Sequence, residues 1–309
     1  HPARKGVRLG LSNAQIMADL RTHIPPGDRR VADSELRNTV RTARNEEPVV
    51  IGAVKRSKRK RKSLRRDTIP PLNQKKVFRI AREIIQAGGE QTLAELSPIN
   101  VAEVTSAEFV RRLYRPDDWI LLGDTFSSGT PHNSVPAHGR TALSLGVAPR
   151  DTYLAWLLEG NSAPLIWPQT FTGVAAKNKD GKDSYRCDSA VAAYRHCIIE
   201  FDDPECWPLE RQHQFWAGVI RRNELPVVAV VYSGNKSLHA WLQVNAANQM
   251  QWKAVTDRLL HRTGGFFGVL KADPAGKVPS QGFRLPGHLR AEKKRRQALL
   301  YFNPAHQTP

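Results

Sequence analysis

The sequence predicts an α+β fold in which an antiparallel sheet carries helices on one face, with a small helical unit ahead of it. The prediction rests on three features. Residues 194–202 and 227–233 are apolar runs, the second dense in β-branched side chains, and residues 237–245 alternate cleanly. Ser237, His239, Trp241 and Gln243 fall on one side of that last stretch, and Leu238, Ala240, Leu242 and Val244 on the other. Alternation with period two is the signature of a strand. Residues 208–223 and 248–262 instead space their apolar residues helically, through Phe215, Trp216, Val219 and Ile220 in one and Trp252, Val255, Leu259 and Leu260 in the other. The resulting order, β-α-β-β-α, suits two layers, with the helices on one side of the sheet and the other side open.

In chain order, residues 1–50 read as the small helical unit. Ser12-Asn-Ala-Gln15 forms a capping box before Ile16, Leu20 and Ile24, and Asp33-Ser34-Glu35 opens a second helix with Leu36, Val40 and Ala43. Residues 51–72 are a basic linker, with nine Lys or Arg in the twelve positions 55–66. Such a block repels itself and reads as a solvated tether. Lys55, Arg56, Lys58, Arg59, Lys60, Arg61 and Lys62 are also candidates for DNA phosphate contacts. Residues 73–309 form the main domain, with its core over 165–305. It opens with an amphipathic helix at 73–87 carrying Val77, Ile80, Ile84 and Ile85. A short helix (107–114), a strand (118–126), a Ser/Gly/Pro-rich loop (127–139), a helix (151–159) and a charged turn (177–182) precede the core. A short strand near 267–271 follows it.

Composition narrows the partners. The 309 residues hold 47 Lys and Arg against 29 Asp and Glu, a net charge of +18, which suits a polyphosphate partner. No apolar run approaches membrane-spanning length and no secretory leader opens the chain, so no membrane partner and a cytoplasmic, nucleoid-associated location are expected. The chain begins at His1 rather than Met, as a fragment or a processed piece would. Cys187, Cys197 and Cys206 are odd in number and not closely paired, which fits a reducing compartment. With His196 and His213 they match no zinc-ligand spacing, which argues against zinc. No phosphate-binding G-x-x-x-x-G-K-[ST] loop occurs, so any helicase partner is a separate protein.

The chemistry-bearing residues gather in three places. The turn around Gly234-Asn235 brings Ser233, Lys236, Ser237 and His239 together, with no acid anywhere from Pro226 to Ala247. Hydroxyls, an ammonium and an imidazole all bind phosphate oxygens. Upstream, Glu200 and Asp202 end an apolar strand two residues apart, so both carboxylates leave one face. Paired oxygen ligands suit Mg²⁺ or Mn²⁺. Asp273 supplies a third acid, and Arg284 follows in Gly282-Phe-Arg-Leu-Pro-Gly287. The structural alternatives are a satisfied histidine on a half-buried strand and an acidic strand end that caps the next helix, a task Asp203 before Pro204 can perform.

This order of motifs resembles the archaeo-eukaryotic primase superfamily, in its phage and mobile-element branch. Glu200-Phe-Asp202 matches the family's acid-x-acid motif, with Glu where Asp is commoner. Ser237-Leu-His239 matches its small-x-His motif, and Asp273 after an apolar stretch its third. The wider strings Tyr232–Trp241, Arg284-Leu-Pro-Gly287, Leu113–Asp118 and Lys182–Asp188 are similar to that branch too, so the resemblance covers roughly 114–304. It implies that residues 73–309 are a primase or primase-polymerase catalytic domain with a palm-like sheet of the RNA-recognition-module type. It implies template-dependent nucleotidyl transfer from NTP or dNTP on single-stranded DNA. Glu200, Asp202 and Asp273 would be the catalytic carboxylates, holding two Mg²⁺ or Mn²⁺ ions. Ser233, Lys236, Ser237, His239 and Arg284 would bind the nucleotide. The host system would be a phage, plasmid or mobile element.

Two rivals stand beside this reading. A metal-dependent nuclease or replication initiator would want a His-hydrophobic-His pair, and Leu238-His239-Ala240 has one histidine. A non-catalytic nucleic-acid-binding module shares the expected topology but displays aromatics on its open sheet face, where this chain offers acids, His239 and Trp241.

Overall fold

A computed structural model describes residues 69–123 and 146–306. The helices expected at the N-terminus, the basic block at 55–66 and the loop expected at 127–139 fall outside the described residues. The unit they leave is a mixed α+β domain built on a large antiparallel sheet.

Its helices are α1 (Gln74–Gly88), α2 (Leu93–Leu96), α3 (Ser106–Leu113), α4 (Arg150–Leu158), α5 (Leu209–Arg222), α6 (Gln249–Leu260) and α7 (Phe266–Val269). The strands in chain order are β1 (Trp119–Gly123), β2 (Val147–Pro149), β3 (Leu165–Ile166), β4 (Thr170–Phe171), β5 (Ala176–Lys177), β6 (Asp183–Ser184) and β7 (Val191–Glu200). After these come β8 (Val227–Tyr232), β9 (Leu238–Ala246), β10 (Phe283–Arg284), β11 (Leu289–Arg290), β12 (Arg295–Arg296) and β13 (Ala298–Phe302). The main sheet runs β10-β3-β1-β4-β7-β9-β8-β13, with β2 paired on β1. The two long strands β7 and β9 lie side by side at its centre, with β8 next.

The alternation in β9 works as expected. Leu238, Ala240 and Leu242 join Cys197 and Ile199 of β7 in one apolar cluster, under α1, α5 and α6. Trp241 joins Ile198 and Val231 in a second cluster on the other side. There the expectation of an open face fails. Phe109 and Val110 of α3 and Tyr153 and Leu154 of α4 pack onto it, so helices cover both faces. Trp241 is fully buried, its ring edge-on to Phe109 at 5.6 Å. The physical reason is area. A sheet this wide exposes more apolar surface on its second face than solvent tolerates, and the segment before β7 supplies the cover. Near Glu200, at the end of β7, a cavity opens.

The strand expected near 267–271 is the short helix α7. Aromatic and β-branched residues suggested a strand. Here the Val269 and Leu270 N–H groups turn back to the Gly265 and Phe266 carbonyls, which drives Phe267 into the core against Trp216 at 5.7 Å.

Helix α1 begins at Asn73, whose side chain accepts from the Lys76 N–H, and it buries Val77, Ala81, Ile84 and Gly88 at helical spacing. It packs on α5 backbone to backbone. A Cβ on Gly218 would lie 1.8 Å from the Ile84 carbonyl oxygen, closer than any relaxed contact. Gly218→Ala is therefore expected to destabilise the domain by about 1–3 kcal/mol through overpacking, read as a lower urea midpoint at unchanged slope.

Candidate active site

The site forms where the central strands end. Glu200, the last residue of β7, lies directly across the ladder from His239 of β9, which itself pairs with Val231 of β8. Cross-strand neighbours on one face have closely spaced Cβ atoms, and here the side chains meet. His239 Nε2 lies 2.7 Å from a Glu200 carboxylate oxygen, with both side chains largely buried. On the far side of the ring, the Arg284 backbone N–H points at Nδ1 at 3.5 Å. The ring of Phe283 stands edge-on to the imidazole at 5.7 Å. The imidazole is thus fixed between a carboxylate and strand β10. Burial pushes the Glu200 carboxyl up, but His239, then Arg284 and Lys236, together hold it below the usual carboxylate range.

The turn between β8 and β9 is longer than Gly234-Asn235 alone suggests. It spans residues 233–237 and is closed by the Ser233 N–H donating to the Ser237 carbonyl at 3.0 Å. Gly234 adopts φ 75°, the left-handed conformation that a side chain disfavours. Inside the turn the Ser237 hydroxyl meets Ser233 Oγ at 3.2 Å and lies 3.5 Å from His239 Nε2. Lys236 projects from it to Asp202, with Nζ 3.2 Å from the carboxylate. Strand β7 stops at Glu200, so Asp202 sits just beyond it, in the loop toward α5, rather than on the strand as expected.

One residue without any sequence signal organises this geometry. Gln212 of α5 is completely buried. Its side-chain amide donates to the carbonyls of Phe201 at 3.1 Å, Trp207 at 2.7 Å and Lys236 at 3.0 Å, while its oxygen accepts from the Leu238 N–H at 2.8 Å. It ties the loop that carries Asp202 to the turn that carries Lys236. A lone glutamine on an amphipathic helix carries no sequence signal for this role, because only the tertiary contact defines it.

These groups surround a cavity of about 330 Å³ lined by Glu200, Asp202, Ser233, Lys236, Ser237 and His239 together with Arg284 and Arg290. Gln281, Gly282 and Phe283 also line it. Burial, then the neighbouring Arg290, pulls the Arg284 guanidinium below its ordinary pKa, while Glu200 pulls the other way. The expected site residues therefore converge, with one exception. Asp273 does not line the cavity. Its backbone N–H bonds to the Glu200 carbonyl at 2.9 Å, but its carboxylate turns to cap the Pro274–Lys277 helical turn, accepting from the Ala275 N–H at 2.7 Å. An Asp-Pro step is a good start for such a turn, and that local bond claims the side chain. Lys271 likewise faces away, into a separate cavity with Phe78, Trp207 and Arg211. Asp118 and Asp188, each in one of the four wider strings, serve structure. Asp118 grips Arg195 with two oxygens, and Asp188 accepts from the Ser280 hydroxyl.

The donor set fits a hard divalent ion in a limited way. Among the described residues no group of three or more His, Cys, Asp or Glu side chains forms a ready-made metal site. Glu200 and Asp202 supply two carboxylates to the cavity, which matches Mg²⁺ or Mn²⁺ held by one or two carboxylates and completed by substrate phosphates. The three cysteines are unpaired thiols, and burial pushes that of Cys197 up to about 12. Among the described residues no helix is long and apolar enough to cross a membrane. Comparison of the chain with protein-family models, curated proteins and solved structures returns no match.

Proposed function

We propose that this domain is the catalytic unit of a primase or primase-polymerase of the archaeo-eukaryotic primase superfamily, transferring nucleotides from NTP or dNTP onto a strand templated by single-stranded DNA. The observation that carries the proposal is the cavity itself. Two carboxylates, Glu200 and Asp202, and three basic side chains, Lys236, Arg284 and Arg290, line the same space. A purely anion-binding pocket would have no use for buried Glu200, and a purely cation-binding one would not gather three basic side chains. A polyphosphate accompanied by a divalent ion needs both. The centre of the sheet supports the palm assignment, since the order β7-β9-β8 is the one that a β-α-β-β-α palm gives.

Glu200 and Asp202 would hold Mg²⁺ or Mn²⁺, which when bound supplies charge neutralisation at the transferring phosphoryl group. The protein's own groups do the rest. His239, Ser237 and Lys236 orient the triphosphate, with the imidazole kept in register by Glu200 and β10. Arg284 and Arg290, which line the same cavity, compensate phosphate charge as it redistributes. The burial of Glu200 and His239 excludes water from their side chains. The test is incubation with single-stranded DNA, labelled nucleotides and Mn²⁺ or Mg²⁺, with and without a primer. Template-dependent products support the reading, and degradation of the DNA instead would transfer the site to a nuclease.

His239 provides a sharper check. His239→Ala is expected to weaken triphosphate binding by about tenfold, the loss of one charge-assisted hydrogen bond, while single-stranded DNA binding changes little. Calorimetric titration with a non-hydrolysable nucleotide and an anisotropy titration with DNA separate the two. Equal losses in both would make His239 a structural residue.

A further inference from the structure

The basic residues just downstream of the cavity form a second feature that the cavity itself does not use. Strands β11 and β12 make a two-stranded ribbon separate from the main sheet, pairing Leu289 with Arg296 and Arg290 with Arg295. The ribbon turns through Ala291–Lys293 and Lys294, the latter in the left-handed region at φ 50°. Every residue from Ala291 to Arg296 is exposed. An isolated two-stranded ribbon is marginal in water, so this one needs its anchors. At its base the Gly287 N–H bonds to the Gln297 carbonyl and the Gln297 N–H to the His288 carbonyl, both at 2.8 Å. Along its side Arg290 donates to the Ser233 carbonyl at 3.3 Å, and Arg295 to the Tyr232 hydroxyl at 3.2 Å. The ribbon is thus fastened to the same turn that carries Lys236 and Ser237.

Its charge is one-sided. Arg290, Lys293, Lys294, Arg295 and Arg296 stand against Glu292 alone, and Glu292 is engaged by Arg290 at 2.7 Å. The side chains of Lys293 and Lys294 have no partner among the described residues. Like charges packed this densely on a small exposed ribbon repel one another, which disfavours the fold unless a polyanion neutralises them. We propose that the Leu289–Arg296 ribbon is a phosphate-backbone clamp that holds a single-stranded nucleic acid at the mouth of the cavity. A free triphosphate is the weaker candidate for its ligand. Arg290 lines the cavity, but Lys293, Lys294, Arg295 and Arg296 do not. They face what lies outside it, and a strand that continues beyond the cavity is the polyanion long enough to reach both. The ribbon displays no aromatic side chain for base stacking and no side-chain amide for base edges. It therefore grips without reading sequence. Its placement rests on the polymerising reading of the cavity, whereas the binding measured below does not.

The experiment compares the full chain with its Lys293→Gln/Lys294→Gln variant. Both positions are exposed and partnerless, so folding is spared. Each protein is titrated by anisotropy with a labelled oligothymidylate of about twenty nucleotides, longer than one domain's footprint, across roughly 50–400 mM salt. Two lost phosphate contacts lower the log–log salt slope by about 1.4 and the affinity near 0.1 M by roughly tenfold to thirtyfold. Triphosphate affinity, measured in parallel, is expected to hold. An unchanged slope and affinity for the oligonucleotide overturns the proposal. So does an equal fall in triphosphate affinity, which would assign the ribbon to the cavity. Failure of the wild-type chain to incorporate nucleotides would remove the catalytic reading and leave the clamp standing. Normal incorporation with no ribbon effect would do the reverse.

Discussion

Asp202→Ala is expected to leave the domain folded and to lower nucleotide incorporation by about a thousandfold or more, equivalent to roughly 4 kcal/mol of lost transition-state stabilisation. The two halves of that expectation come from different observations. Folding is spared because Asp202 lies beyond the end of β7, its side chain about half exposed, with Lys236 as its ion-pair partner at 3.2 Å. An exposed pair of this kind contributes at most about 1 kcal/mol. Activity is not spared, because among the described residues Asp202 and Glu200 are the acidic side chains that line the cavity. Glu200 is already committed to His239 at 2.7 Å. Removing Asp202 leaves one carboxylate, itself paired, facing Lys236, Arg284 and Arg290, and the cavity becomes a plain anion site. Single-turnover incorporation on a single-stranded template measures the loss. Thermal unfolding checks the fold, and paramagnetic resonance of added Mn²⁺ reads retention of the ion independently of turnover. Normal incorporation by the folded variant would falsify the assignment. The companion variant Asp273→Ala distinguishes the two acids. As a cap it is expected to cost about 1 kcal/mol of stability and far less activity. A loss as large as that of Asp202→Ala would return Asp273 to the site.

Which parts of this were legible in the sequence follows from the range of the forces involved. Local periodicity placed the central strands and the two long helices within a few residues. β7, β8, β9, α5 and α6 are each set by their own alternation or helical stripe, and these interactions are short in sequence. The meeting of Glu200 with His239 was legible for a related reason. Each sits at the end of its strand, and a strand order of β7-β9-β8 puts the two ends together. What lay beyond reading was tertiary. That Trp241 would be buried depends on α3 and α4 folding over a face that its own strand leaves polar at Ser237 and His239. That Asp273 would cap a turn rather than face the cavity depends on competition between a local backbone N–H and a distant site, and the bond two residues away wins. Gln212 shows the limit most clearly. Its four hydrogen bonds reach 5, 11, 24 and 26 residues along the chain, and no window on the sequence spans them. The ribbon went unremarked in the sequence, because only its fastening to Tyr232 and Ser233 relates it to the cavity.

The second large effect concerns pH and the strand that carries Glu200. Stability is expected to fall by roughly 3 kcal/mol between pH 6.5 and 4 through His196 alone. His196 lies in β7, four residues before Glu200, and is almost completely buried. Its Nδ1 meets the Pro168 carbonyl at 3.2 Å, its Nε2 has no partner among the described residues, and its ring stands against Trp241 at 5.7 Å. Burial drives its pKa down to about 4; the Pro168 carbonyl opposes the shift and nearby Arg195 adds to it. In the unfolded chain the same imidazole titrates near its ordinary value of about 6.5. Between these values the unfolded state takes up a proton that the folded state refuses, so acid favours unfolding. The contribution is whole above the unfolded value and is lost as pH falls toward the folded one. Urea titrations at a series of pH values measure it, and His196→Leu isolates it. That variant leaves the Pro168 carbonyl without its donor, costing about 1–3 kcal/mol at neutral pH, but its stability should be flatter between pH 6.5 and 4. A wild-type profile that is already flat there would mean that the imidazole is protonated in place, with a water or a shifted strand as partner for Nε2. The distinction matters for reading activity. A fall in incorporation below about pH 6 that disappears in His196→Leu reports loosening of β7, whereas one that persists belongs to the groups around the cavity.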